Sequence, residues 1–156
     1  MIIGLGADPF GVELKESVKE HLEAAGHRCI DIGGSSDRER AYYDVAHELA
    51  EKVGSGACEW GVLVCGTGMG MAIVANKHPG VYAAVCEDAA TAARARSINN
   101  ANVLTLGGMV TAPFKANEIV DAFLSTKFKS GWDDQIKSFL DQSMIDIQRI
   151  ESDEFR

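Results

Sequence analysis

No stretch of this sequence approaches the roughly 20 consecutive apolar residues that a membrane-spanning helix needs. No charged-then-apolar leader precedes the apolar run that starts at Met1. The expectation is a cytoplasmic protein with no membrane partner. Positive charge is short as well: 15 Lys and Arg stand against 23 Asp and Glu, a formal net charge of −8. That balance argues against a nucleic-acid partner held on a basic face. Cysteine is sparse. Cys29, Cys58, Cys65 and Cys86 form no C-x-x-C pair and fit no zinc spacing, so neither a disulfide framework nor a metal site is expected. Cys29 and Cys86 read as small buried residues on strands, and Cys58 as an exposed loop residue. His21, His27, His47 and His78 read as surface histidines without ligand spacing. Repeats and low-complexity segments are lacking. So are the phosphate pattern G-x-x-x-x-G-K-[ST] and, after the first strand, G-x-G-x-x-G, which disfavours a generic nucleotide binder.

What is present fits one domain over residues 1–156. A chain of this length with 46% hydrophobic residues can bury a full core. Met1–Gly6 reads as a buried strand. Leu14, Val18, His21, Leu22 and Ala25 then share a helical face, and Gly26 closes that helix. Arg28–Ile32 is the second strand and residues 33–40 are a polar loop. A helix over Tyr42–Val53 is followed by a third strand, Trp60–Cys65, a glycine loop and a short helix, Ala72–Lys77. Val81–Val85, an alanine-rich helix over Ala89–Ser97, Val103–Leu106 and a helix over Phe114–Ser125 complete the alternation. Such βα alternation predicts an α/β, doubly wound, five-stranded and mainly parallel sheet with helices on both faces. A C-terminal helix over about 132–150, with Ile136, Phe139, Leu140, Ser143 and Ile147 in one stripe, exceeds what two covered faces need. It is expected at a subunit interface of a homo-oligomer.

The chemistry concentrates in Val62-Leu63-Val64-Cys65-Gly66-Thr67-Gly68-Met69-Gly70-Met71. An apolar strand ends in a thiol, a three-glycine loop follows, and a helix begins. Ligands of open α/β sheets gather outside the carboxyl ends of the strands. Loop amides and a helix N-terminus there favour negative charge. Cys65 is thus placed as a base that takes a proton from carbon beside a carbonyl. The amides of Gly66, Gly68, Met69 and Gly70 would hold the enediolate oxygen. Thr67 would shuttle a hydroxyl proton or bond the loop. Asp8, just past the first strand, would bond a sugar hydroxyl, cap the next helix, or do both. Asn99 precedes the fifth strand and enters from the opposite sheet edge unless a neighbouring subunit supplies it.

These residues resemble the ribose-5-phosphate isomerase B and galactose-6-phosphate isomerase family from Ile2 to about Phe139. The likeness is carried by Gly6-Ala7-Asp8 with Gly11, by Cys65 to Gly70, and by Ala75-Asn76-Lys77 with Pro79-Gly80-Val81. Asn99-Asn100-Ala101-Asn102-Val103 and Ile119-Val120-Asp121-Ala122-Phe123 extend it. The resemblance implies a Rossmann-like fold and an aldose–ketose isomerase with no metal or other cofactor. It implies homodimers or homotetramers with active sites shared between subunits. It assigns Cys65 as the base between C1 and C2, Thr67 to the hydroxyl protons, the Gly66 to Gly70 amides to the anion hole, and Asp8 and Asn99 to substrate hydroxyls.

Five positions depart from the family pattern. Pro9 and Ile98 stand where the family has histidines, the latter one that opens a furanose ring. Met109, Trp132 and Ile136 stand where it has phosphate-holding arginines. One reading is an open-chain substrate, such as a four-carbon sugar phosphate of the D-erythrulose 4-phosphate type, which needs no ring opening. Its phosphate would fall to Arg38, Arg40, Arg96, Lys115, Lys127 or Lys129. The other is a substrate without phosphate, with Trp132 stacked on it or packed at a subunit boundary. The expected function is an aldose–ketose isomerase of a small sugar phosphate, either ribose 5-phosphate/ribulose 5-phosphate or a tetrose phosphate. The alternatives are an isomerase or epimerase of a non-phosphorylated sugar or sugar acid, and a non-catalytic sugar-phosphate-binding or partner subunit.

Overall fold

A computed structural model of the chain describes residues 1–34 and 39–155. Strands and helices alternate as β1 (Ile2–Ala7), α1 (Val12–Ala24), β2 (Arg28–Asp31), α2 (Tyr42–Gly54), β3 (Trp60–Cys65), α3 (Met69–Ala75), β4 (Ala83–Val85), α4 (Ala89–Asn99), β5 (Val103–Gly107), α5 (Pro113–Ser125) and α6 (Asp134–Glu154). The strand order is β2-β1-β3-β5-β4 and every pairing is parallel. Parallel neighbours need crossover helices, and these cover both faces. One core joins α1, α4 and α5 to the sheet through Leu14, Val18, Ala92, Ile119 and Phe123. The other joins α2 and α3 through Val45, Leu49, Val53, Met71 and Ala75. The fold is Rossmann-like, as expected.

The connections leave β1 in one direction and β3 in the other, so the switch point lies between these two strands. A crevice opens there at the carboxyl ends. Register sets its walls: Ala7 pairs with Val64, which brings Asp8 and Cys65 to the same level of the sheet.

Local chemistry moves three boundaries from their expected places. The short helix begins at Met69 rather than Ala72, because Gly68 at φ 81° turns the chain straight into it. The last helix begins at Asp134 and runs to Glu154. Its N-cap is Asp133, whose carboxylate accepts the Ile136 N–H at 2.9 Å. Cys58 is buried against α2, not exposed, and Cys29 is only half-buried on an edge strand. Of the expected α6 stripe only Leu140 is buried, and Phe139 and Ile147 are exposed. Among the described residues, no helix is long and apolar enough to cross a membrane.

One buried charge was invisible in the sequence. The Lys15 side chain on α1 is 1% exposed. Its ammonium donates to both Asp31 carboxylate oxygens at 2.9 Å and to the Gly34 carbonyl at 3.0 Å, and so ties α1 to the end of β2. Burial alone would raise the Asp31 pKa, but hydrogen bonds from Lys15, the Gly33 N–H and Lys19 outweigh it and hold the carboxyl below its ordinary value. A depressed folded pKa means that the stability from Asp31 is complete above its unfolded value, about pH 4, and is lost as the pH falls through the folded one. Asp31→Asn leaves the buried ammonium with Glu16, 2.9 Å away, as its one carboxylate partner and should cost about 2 kcal/mol at pH 7. Urea unfolding of both proteins across pH checks this. The gap should narrow in acid, and a gap independent of pH would remove the ion pair as its cause.

Candidate active site

Three loops meet at the carboxyl edge: the β1–α1, β3–α3 and β5–α5 connections. They are joined through main chain. The Asp8 N–H donates to the Val64 carbonyl at 3.2 Å, the Gly108 N–H to Cys65 at 2.7 Å, and the Met109 N–H to Gly66 at 3.0 Å. Gly11 and Gly108 permit close approach, since a Cβ would lie 2.2 Å from the Val64 oxygen at the first and 2.2 Å from the Phe10 oxygen at the second.

Cys65 closes β3 with its side chain in the core that α2 and α3 share, 6% exposed. Its Sγ accepts the Gly68 N–H at 3.1 Å, so the sulfur sits beneath the loop that leads into α3. Gly68 is required twice. It has a positive φ, and a Cβ would press on the Leu106 backbone at 3.1 Å. Thr67 is exposed, and its hydroxyl accepts the Met69 N–H at 3.4 Å. Gly66 lies under Phe10 and the Met109 sulfur, and Gly70 under the Tyr42 ring. Met69 is more than half exposed at the rim.

Asp8 is 7% exposed. Its carboxylate accepts the Phe10 N–H at 2.9 Å, while Gly11 is the N-cap of α1 and has no side-chain cap bond. Asp8 therefore braces its own turn and does not cap the helix. Burial raises its pKa, and bonds from the Phe10 and Gly11 N–H groups offset part of that. A carboxylate in the crevice can order substrate hydroxyls, and amide N–H groups beside the thiol are the kind of donor that can receive a developing oxyanion.

Asn99 does not join them within the chain. It ends α4 at the amino edge of the sheet, where β5 starts beside Gly61, whereas Cys65 faces Gly107 at the other end of the pairing. The cations expected for phosphate are mostly engaged elsewhere. Arg40 bonds the Ile32 carbonyl at 2.7 Å and Glu48 at 2.8 Å. Arg96 is 6% exposed. Its guanidinium lies 4.1 Å over Trp60, and burial pushes it down to about 10. Lys129 pairs with Asp141 at 2.7 Å. Lys115 and Lys127 are exposed, and Arg38 lies outside the described residues. Sequence reasoning missed Tyr42. Its signal was placement: the first residue of α2 follows β2 and therefore lands at the carboxyl edge.

The model of the Ribose/Galactose Isomerase family matches residues 3–139. The chain is 39% identical over its whole length to a Clostridium sp. (strain MSTE9) 4-deoxy-4-sulfo-D-erythrose isomerase, covering 99% of that protein. It is 42% identical to a Pectobacterium atrosepticum D-erythrulose-4-phosphate isomerase, over 83% of this chain and 86% of that one. Ribose-5-phosphate isomerase B from Mycoplasma genitalium, solved with bound ribulose-5-phosphate, superposes with a TM-score of 0.87 at 34% identity, over 97% of this chain and 96% of that one.

The raised Asp8 pKa predicts how the site affects stability. A carboxyl whose folded pKa is raised favours the fold in acid and loses that advantage as the pH rises through the folded value. Asp8→Asn keeps an acceptor for the Phe10 N–H and removes the buried charge. At pH 7 it should melt no lower than the wild type, with the difference vanishing below about pH 4. A marked drop in the melting temperature at pH 7 would make Asp8 a structural residue.

Proposed function

Because the chain belongs to the Ribose/Galactose Isomerase family, we propose that it interconverts an aldose and a ketose of four carbons bearing a terminal anion, using Cys65 as the base. The observation that carries this is the thiol at the switch-point crevice, fixed by the Gly68 N–H and level with the buried Asp8. Removing the proton from C2 of the aldose places it on Sγ and pushes negative charge onto the carbonyl oxygen. Amides of the Gly66 to Gly70 loop other than the Gly68 N–H, which holds Sγ, stabilise that enediolate. The proton then returns from Sγ to C1, and a hydroxyl proton moves between O1 and O2 with Thr67 at hand. Asp8 accepts from a substrate hydroxyl. A positioned base contributes about 10²- to 10⁴-fold and an oxyanion donor a similar factor.

Chain length follows from what is missing. Pro9 carries neither an imidazole nor an N–H, and Ile98 can do no proton chemistry. A ring-closed pentose phosphate needs an acid to open it, whereas a tetrose blocked at its terminal oxygen or carbon cannot form the five-membered ring. Two of the relatives above are named for four-carbon substrates. Ribulose 5-phosphate is the second reading, supported by the bound ligand of the Mycoplasma structure.

The same proposal includes a homo-oligomer with shared sites. Asn99 is an expected substrate ligand, yet it lies at the wrong edge of its own sheet. The crevice rim is apolar and open: Phe10, Met69, Ile73, Met109, Val110 and Phe114 are each more than half exposed. Such a collar is suited to burial against a second copy that brings its Asn99 corner to this thiol.

Proton NMR in D2O tests the chemistry. Deuterium should enter C1 or C2 of a tetrose 4-phosphate or a 4-sulfo tetrose. Cys65→Ala should slow this at least about 10³-fold without unfolding the protein. Exchange at the wild-type rate in that variant would remove the thiol as base. Mixing tests the sharing. Cys65→Ala and Asn99→Ala are each inactive alone, but their equal mixture, after subunit exchange, should regain about a quarter of the sites. No recovery despite exchange would place both residues in one subunit's site.

A further inference from the structure

We propose that Arg94, held over the face of Trp132, is the cation that binds the terminal anion of the substrate, and that it reaches the site of the neighbouring subunit. This rests on the isomerase reading and on its shared site. Arg94 is exposed on α4, and its guanidinium carbon lies 4.9 Å from the centre of the Trp132 ring. Among the described residues no carboxylate lies within ion-pair distance of it. Among the described residues Arg28, Lys52, Lys77, Arg96, Lys115 and Lys127 also lack one, and what sets Arg94 apart from them is that it is exposed and lies over an aromatic ring, whereas Arg96 is buried and the others meet no ring. Stacking fixes the plane of the guanidinium and leaves its N–H fork free, the geometry that recognises a tetrahedral oxyanion.

The place matches the task. Arg94 and Ile98 share one face of α4, four residues apart. The turn carrying Trp132 is pinned to the same helix by the Lys129 N–H, which donates to the Ser97 carbonyl at 2.9 Å. Asn99 ends this helix, so Arg94, Trp132 and Asn99 travel together to whatever surface the corner meets. At about 1.5 Å and 100° per residue, Arg94 stands about 7.5 Å along the axis from Asn99 and about 140° around it, so the long Arg94 side chain has to supply the reach between them. The indole N–H of Trp132 is buried without an acceptor, a cost that fold stability does not explain and that a ring kept as a platform does.

The test compares charged with uncharged substrate. Arg94→Gln, Arg94→Lys and the wild type are assayed by deuterium exchange with 4-deoxy-4-sulfo-D-erythrose, D-erythrose 4-phosphate and 4-deoxy-D-erythrose, a neutral analogue that cannot close the five-membered ring, and the oligomeric state of each is measured by sedimentation. Arg94→Gln should raise KM for the two anionic sugars about 10- to 100-fold. Its rate with the neutral analogue should be unchanged, and inorganic phosphate should stop inhibiting. Arg94→Lys should recover part of the loss. Unchanged KM for the anionic sugars, or an equal loss with the neutral analogue, overturns the proposal. If the wild type exchanges deuterium into none of the sugars, the isomerase reading falls by itself. Calorimetric binding of inorganic phosphate then decides on Arg94: loss in Arg94→Gln supports the anion site, and equal binding removes it.

Discussion

The main-chain bonds that lock the β5–α5 loop onto the carbonyls of Cys65 and Gly66 are what the site depends on. They hold the glycine loop from outside, while the Gly68 N–H holds the sulfur from within. A loop anchored on both sides cannot rearrange when charge appears on the substrate. In the proposed reaction its amide dipoles would therefore be oriented before charge develops, and such preorganisation is what makes an oxyanion site effective. Side chains could not have done this as well. Backbones approach this closely only where Cβ atoms are missing, and Gly11 against Val64 shows how little room there is.

Much of this was legible in the chain. βα alternation is a strong periodic signal, and it gave all five strands and six helices in order. The glycine loop singled out Cys65 as a candidate because glycine next to a strand end has few purposes other than turning and close approach. What was not legible has a common cause. Strand order, and with it the β1/β3 crevice, depends on long-range pairing, so the level of Asp8 with Cys65 had to be seen. Lys15 reads as an ordinary helix-surface lysine, because its partner Asp31 is 16 residues away on another element. The same holds for Arg96, whose ring partners Trp60 and Phe123 come from β3 and α5. Helix starts failed where one residue decides them, at Gly68 and Asp133.

The fate of the basic residues is the more instructive part. An acidic protein that binds an anionic sugar must keep some positive charge free of its own carboxylates. Here most cations are consumed by the fold. Lys15 and Arg40 tie helices to the β2 edge, Lys129 ties the last turn to α6, and Arg96 fills a cage of aromatic rings. A sequence gives each of these the same weight. Only their partners distinguish a structural charge from an available one, and among the available ones Arg94 is the exposed cation held over a ring.

The departures at Pro9, Ile98, Met109, Trp132 and Ile136 then read as one change and not five. A four-carbon chain with its terminal position blocked has no ring to open, so imidazoles at positions 9 and 98 would have nothing to protonate. Without them the crevice wall can be apolar, as Phe10 and Met109 over Gly66 make it. An apolar wall lowers the local dielectric and strengthens each remaining polar contact, so fewer cations are needed to hold the other end of the substrate. A sulfonate carries a single charge, whereas a phosphate monoester carries about −1.5 to −2 at pH 7. On the proposed assignment one stacked arginine in place of three would match the smaller charge, and the thiol and its amides, which would act on the C1–C2 unit common to every aldose, would have no reason to change with it.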